Sequence, residues 1–202
     1  MYYQTNQTMA GRPKIYDETA ILDKAVEVFW EKGYANATAD DLLNAMGIGK
    51  GSFYFAFKGG KEELFRKSME RVVELNFKAI RDALTTCADP VQFIKDFFLS
   101  LTGSESPVGN KGCYFGNALI QVSADDAGLK MIAAKYLHLL EEIFTEAIQR
   151  GKDLGLLQTQ EPADALGTYL VNLWNGINVT RRMEPDQRKL AELVRMNLKV
   201  LI

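Results

Sequence analysis

Metal-binding and nucleophilic side chains are scarce in this sequence. It holds one histidine and two cysteines in 202 residues. His138 stands alone, and Cys87 and Cys113 lack the close spacing of a zinc-ligand pair. Two cysteines are too few for a disulfide scaffold, which points to reduced thiols and a cytoplasmic protein. No Gly-rich phosphate loop follows a strand-like run, and no nucleophile-elbow motif occurs. The expectation is a chain that is not an enzyme, with no catalytic residue, metal or cofactor. No apolar run approaches the roughly 20 residues that span a bilayer. The polar stretch Met1–Gln7 has no signal-peptide core, so no membrane partner is expected.

Excess base is missing too. The formal net charge is −2, which argues against a general coat for nucleic acid. A specific reader needs only correctly placed charge. Residues 1–16 carry Arg12 and Lys14 and no acid. Residues 46–61 carry Lys50, Lys58 and Lys61, again without an acid. Between them lie Asp17, Glu18, Asp23, Glu27 and Glu31. Any DNA-facing surface must come from the two basic patches.

Strand-like alternation is absent, and helical periodicity is what fills the chain. Ile21, Leu22, Ala25, Val28 and Phe29 form one apolar stripe, with Asp17 and Glu18 suited to its first turn and Gly33 ending it. Thr38 is an N-cap for a short helix, Ala39–Met46, which Gly47 stops with positive φ. A third helix spans about Lys50–Phe57. A long helix runs from Lys61 to about Thr85, and another follows Pro90. Gly103–Gly112 reads as a loop. Further helices fall near Tyr114–Ser123, Ala127–Gly151, Pro162–Arg181 and Asp186–Leu201. The predicted fold class is all-α: an N-terminal three-helix helix-turn-helix DNA-binding domain with its arm, residues 1–60, and a larger C-terminal helical bundle for ligand sensing and dimerisation, residues 61–202.

Two short helices separated by a turn at Gly47 form a helix-turn-helix, whose second helix enters the major groove. Its outward positions should be small, polar or basic, and Lys50, Gly51, Ser52 and Tyr54 are. Phe53 and Phe57, at i and i+4, lie on the opposite face and can anchor the helix to Phe29 and Leu42. Gly51 allows close backbone approach, Ser52 can bond a base edge, Lys50 a guanine edge or phosphate, and Tyr54 a phosphate. Thr38 and Lys61 stand at helix N-termini, which attract anions. Phe55 and Lys58 complete the expected contact set. An ordinary helical hairpin would show the same spacing.

The run Ala25–Leu64 resembles the DNA-binding domain of TetR/AcrR-type transcriptional repressors. The likeness is carried by Ala25, Phe29, Gly33, Tyr34 and Thr38, by G-I-G-K-G-S-F-Y-F-A-F at residues 47–57, and by K-E-E-L at 61–64. Three features depart from that pattern. Gly49 stands where the family usually has a Ser or Thr cap. Ala56 replaces a customary His or Tyr. Three residues rather than two, Lys58, Gly59 and Gly60, precede Lys61, which puts its phosphate contact in doubt. Gly11-Arg12-Pro13 resembles the arm that many members carry, with Arg12 placed for a minor groove; a bare tail is the alternative.

The resemblance implies a homodimer on double-stranded DNA with an inverted repeat, released by a small-molecule inducer or an electrophile. The expected pairing surface is the last two helices, through Leu166, Leu170, Leu173, Ile177, Leu190, Leu193, Val194, Asn197, Leu198 and Leu201. Intramolecular core is the competing reading of those faces. Phe97, Phe98, Cys113, Phe115, Asn117, Tyr136, Trp174 and Asn178 combine aromatic surface with a few polar groups, the make-up of a ligand pocket. Cys113 opens a helix, where the dipole can lower a thiol pKa. The segment G-C-Y-F-G-N looks like that of electrophile-sensing members; an inert buried thiol is the alternative.

Overall fold

A computed structural model of the chain describes residues 17–103, 111–122 and 126–202, and among them every regular element is helical. The first three helices are α1 (Glu18–Asn36), α2 (Ala39–Met46) and α3 (Lys50–Ala56). Asp17 caps α1 by accepting the Thr19 N–H at 2.9 Å. Gly33, at φ 76°, kinks α1 without ending it, and a last turn continues to Asn36. Gly33 also leaves room for Gln121, whose amide occupies the space a Cβ would need. Thr38 caps α2 in a reciprocal box: its hydroxyl accepts the Asp41 N–H at 3.1 Å, and the Asp41 carboxylate accepts the Thr38 N–H at 3.0 Å. Gly47 closes α2 at φ 65° as expected. Gly49 precedes α3 with no side-chain cap, as its lack of a side chain requires.

The long connecting helix is not uniform. It begins one residue early, at Gly60, and runs as α4 (Gly60–Val72), a π-helical turn (Val73–Phe77) and α5 (Lys78–Thr86). The residue added before Lys61 is absorbed by Gly60 at φ 65°, whose N–H bonds the Phe57 carbonyl at 2.9 Å. Arg150 bonds the Leu84 and Cys87 carbonyls at 2.7 and 2.5 Å, satisfying acceptors that the helix end leaves open. Asp89 then caps α6 (Pro90–Ser100) through the Gln92 N–H, with Pro90 in the first turn.

The body is completed by α7 (Tyr114–Gln121), α8 (Ala127–Asp153), α9 (Ala163–Met183), α10 (Gln187–Asn197) and a 3₁₀ turn (Leu198–Val200). Packing of α8 on α9 forms its centre, with α6 and α7 against α8 and α10 against α9. Leu140, Phe144 and Ile148 are buried there with Leu166, Leu170, Leu173 and Ile177. The expected pairing residues therefore need correcting. Leu166, Leu170, Leu173, Ile177, Leu190, Val194, Leu198 and Leu201 are all buried within the chain, and of the apolar residues expected there only Leu193 is exposed. The apolar stripes face the chain's own core because α8 and α6 cover them. Among the residues that α9 and α10 turn outward are the uncharged Thr168, Asn172, Gly176, Val179, Met183, Leu193 and Met196.

A Cβ on Gly47 would meet nothing within 4 Å, so only its backbone conformation resists substitution. Gly47→Ala should lower unfolding free energy by about 1–2 kcal/mol, the usual penalty for a left-handed L-residue. Chemical denaturation checks this; an unchanged midpoint would show that the turn can relax.

Candidate functional site

Two sites are joined in this molecule, an outward helix face and an inward cavity. On α3, Phe53 is 5% exposed and Phe57 is fully buried, and both join Phe29 and Leu42 in one core. Their rings lie 5.5 Å apart. Lys50, Gly51 and Ser52 are exposed on the other face, with Tyr54 at 50% and Phe55 at 73%. An aromatic that exposed is paid for by no core contact of its own, which suits a surface awaiting a partner. A Cβ at Gly51 would meet nothing, so this stretch of backbone is open to close approach. Lys58 is also exposed. The face thus brings together Lys50, Gly51, Ser52, Tyr54, Phe55 and Lys58.

The other expected contacts are placed differently. Arg12 lies outside the described residues. The N–H and hydroxyl of Thr38 are already bonded to Asp41, so its helix terminus is occupied by an internal anion. Lys61 turns to the end of α1, donating to the Ala35 carbonyl at 3.3 Å with its ammonium 4.8 Å from the Tyr34 ring centre. Burial lowers its pKa. These are local consequences of the tight join between α1, α2 and α4.

The cavity, of about 150 Å³, opens where the two parts meet. Phe97, Cys113, Phe115 and Trp174 line it, as expected. Phe98, Asn117, Tyr136 and Asn178 do not. Phe98 is buried beside Phe144. Tyr136 packs on Phe115 with ring centres 5.2 Å apart. Asn178 is buried and bonds the Trp174 carbonyl at 2.8 Å. Asn117 donates to the Lys111 carbonyl at 2.8 Å. The walls that the sequence did not reveal are Trp30 from α1, Val72, Asn76, Phe77 and Ile80 from the rod formed by α4, the π-helical turn and α5, and Leu101, Tyr114 and Leu140. Asn76 and Phe77 belong to the π-helical turn, a local widening that often marks functional sites. Trp30 offered one signal: it interrupts the acidic run of Asp23, Glu27 and Glu31 on its helix.

A short strap holds this corner. The Trp30 indole N–H donates to the Gly112 carbonyl at 2.8 Å, and its ring meets Tyr114 edge-on at 5.5 Å. Lys111 pairs with Glu27 and with Glu31, the latter at 3.3 Å. Arg182 reaches across from α9 to the Lys111 carbonyl and to Asn117. Gly112 sits at φ 75°, a conformation that L side chains rarely adopt, and a Cβ there would also displace the end of Arg182.

Cys113 caps α7, its sulfur accepting the Gly116 N–H at 3.3 Å. Of the two readings of Cys113, a dipole-activated thiolate and an inert buried thiol, its surroundings favour the second. Burial pushes the thiol up, and the N–H groups of Gly116, Trp174 and Phe115 offset this only in part. The helix terminus acts as foreseen, but desolvation of a thiolate outweighs it. Cys87 and Cys113 are both free thiols. His138 is exposed beside Glu141 at 3.1 Å.

Residues 21–67 match the family model of bacterial regulatory proteins, tetR family, and residues 93–196 match that of the tetracyclin repressor-like C-terminal domain. The chain belongs to the TetR family. It is a DNA-binding transcriptional regulator, and its relatives are regulators rather than enzymes. It is 28% identical over 193 residues to the uncharacterized HTH-type transcriptional regulator YezE of Bacillus subtilis, covering 95% of this chain and 99% of that one. Its identity to the HTH-type transcriptional repressor ComR of Escherichia coli is 24% over 196 residues, covering 94% and 91%. The fold is similar to that of the TetR family regulator CifR, solved as a cysteine mutant with 26-base-pair operator DNA, at a TM-score of 0.82, 24% identity and coverage of 93% and 98%. It is also similar to reduced NemR of E. coli, at a TM-score of 0.81, 16% identity and coverage of 92% and 99%. No helix among the described residues of this TetR-family chain is long and apolar enough to cross a membrane.

Two outcomes follow from these geometries. Lys32 and Thr38 hold the Asp41 carboxyl at about 2, below its ordinary 3.8. A depressed carboxylate stabilises the folded chain above its ordinary value and loses that contribution as pH falls towards 2. Asp41→Asn should therefore flatten the fall in thermal midpoint between about pH 4 and pH 2. An equally steep fall in the variant would assign the acid sensitivity elsewhere. Iodoacetamide at neutral pH should label half-buried Cys87 before buried Cys113; peptide mapping that finds the reverse order would contradict the inert state of Cys113.

Proposed function

We propose that this regulator is a ligand-responsive repressor, working as a homodimer on an inverted repeat and released when a small molecule fills the cavity. The observation that carries this is Trp30: a residue of the DNA-reading unit forms a wall of the cavity in the body. An occupant there contacts both parts, so it can favour one head spacing over another by differential affinity. The reading unit spans residues 1–60 and the sensing and dimerisation unit 61–202, with α4 shared mechanically between them. Relatives named as repressors, ComR and DhaR, support the sign of regulation.

Lys50, Gly51, Ser52, Tyr54, Phe55 and Lys58 form the proposed contact face, with Arg12 reaching an adjacent minor groove. Pairing uses the outward faces of the last two helices. Along α9, Thr168, Asn172, Gly176, Val179 and Met183 recur at helical spacing on one exposed side, and small residues there permit close crossing. Leu193 and Met196 extend the surface on α10. The dimer places two heads one helical turn apart. Its proposed location is the cytoplasm. A reversible cavity ligand is favoured over electrophile capture by Cys113, because burial keeps that thiol protonated.

Selection of bound duplexes from genomic fragments tests the reading. Enriched fragments should contain an inverted repeat and be retarded with steep salt dependence; retention of random duplexes with equal strength would refute it. On the selected site, Tyr54→Ala should weaken binding across all sequences. Ser52→Ala should instead change base preference by about 1 kcal/mol at one position. Matching profiles from a sequence panel would contradict this division.

A further inference from the structure

The cavity's chemistry narrows its occupant, on the reading that it is the inducer site. No charged side chain lines it among the described residues. An ion would have to enter without a counter-charge, which is strongly disfavoured. Its volume, about 150 Å³, matches that of an apolar protein cavity able to hold benzene. Its walls are flat. Phe97 and Trp174 lie parallel, 11° apart with centroids at 5.7 Å, and the edge-on pair Trp30 and Tyr114 forms a second side.

Donor accounting leaves the ring faces as the main contacts. The Trp30 N–H is bonded to the Gly112 carbonyl. The Tyr114 hydroxyl is paired with Ser68 at 2.7 Å. Asn76 turns its amide N–H onto the Val72 carbonyl at 3.2 Å. The Trp174 N–H is shielded from the cavity and faces the Cys113 sulfur, which it helps to hold. The ring of Trp174, not its N–H, is what the cavity offers a ligand.

We propose that the cavity binds a small neutral aromatic molecule, of about ten non-hydrogen atoms or fewer, held by contact with the flat ring walls. Long acyl chains and carboxylates are excluded by size and charge. The only two tryptophans of the chain, Trp30 and Trp174, both line this cavity. Intrinsic tryptophan fluorescence therefore reports on it without a label.

Three probes of one size separate the contributions: acetophenone, ethylbenzene and benzoate, titrated into the full chain. Acetophenone and ethylbenzene should both quench saturably. Benzoate should leave the emission unchanged. Leu101→Phe should fill the cavity and abolish saturable quenching. Benzoate binding as well as acetophenone, saturable quenching that survives Leu101→Phe, or no saturable quenching in the wild type would each overturn the proposal; the first and the last of these need no variant. Acetophenone that binds but leaves the selected duplex retained would instead overturn the cavity's role as inducer site, with the ligand class upheld.

Discussion

Phe65, on the rod helix α4, touches Phe29 and Tyr34 of the reading unit with ring centres 4.8 Å apart in each case, and Tyr114 of the body at 5.9 Å. Everything else about the molecule hangs from this aromatic joint. Dispersion and hydrophobic burial act only at contact and leave closely packed rings few alternative arrangements. The joint therefore sets the angle of the head on the rod. Ion pairs surround it, Arg71 with Asp23 at 2.7 Å and Lys67 with Glu18 at 3.3 Å. They are partly exposed, so their contribution is modest beside the buried rings. Ser68, fully buried next to Phe65, shares its hydroxyl between the Phe65 carbonyl and Tyr114, which locks the body side of the contact.

The cavity is an extension of the same joint. Tyr114 belongs to both, and Trp30 stands one residue beyond Phe29 on α1. The π-helical turn contributes Asn76 and Phe77 to the lining, so the rod is widened just where it passes the empty space. Rod, strap and head meet within a few side chains. This proximity makes a population shift between head positions physically economical: one occupant can favour one packing of several rings at once.

Local signals were legible wherever a short stretch of chain decides the outcome. Thr38 as an N-cap, Gly47 at positive φ and the helix start at Pro90 each depend on nearby backbone groups, and nearby residues are what a sequence displays. The buried Phe53 and Phe57 beneath an exposed Lys50, Ser52 and Tyr54 followed from helical spacing alone. Cys113 shows the limit of such reasoning. Its position at a helix N-terminus was readable, but the desolvation that raises its pKa is set by burial in the assembled fold. The π-turn was not readable either, because periodicity over a long helix averages away one inserted residue.

The sequence alone determined that this chain is helical, that its second and third helices form a reading head, and which face of α3 looks outward. Periodicity and capping are properties of neighbours along the chain, so they survive without coordinates. Only the tertiary structure decided what covers each apolar stripe. It turned Leu166, Leu170 and Leu173 into internal core, left Val179, Met183 and Met196 outside, and placed Trp30 against the body. A stripe records that a helix must bury one side, whereas the identity of its cover depends on how distant segments meet in space.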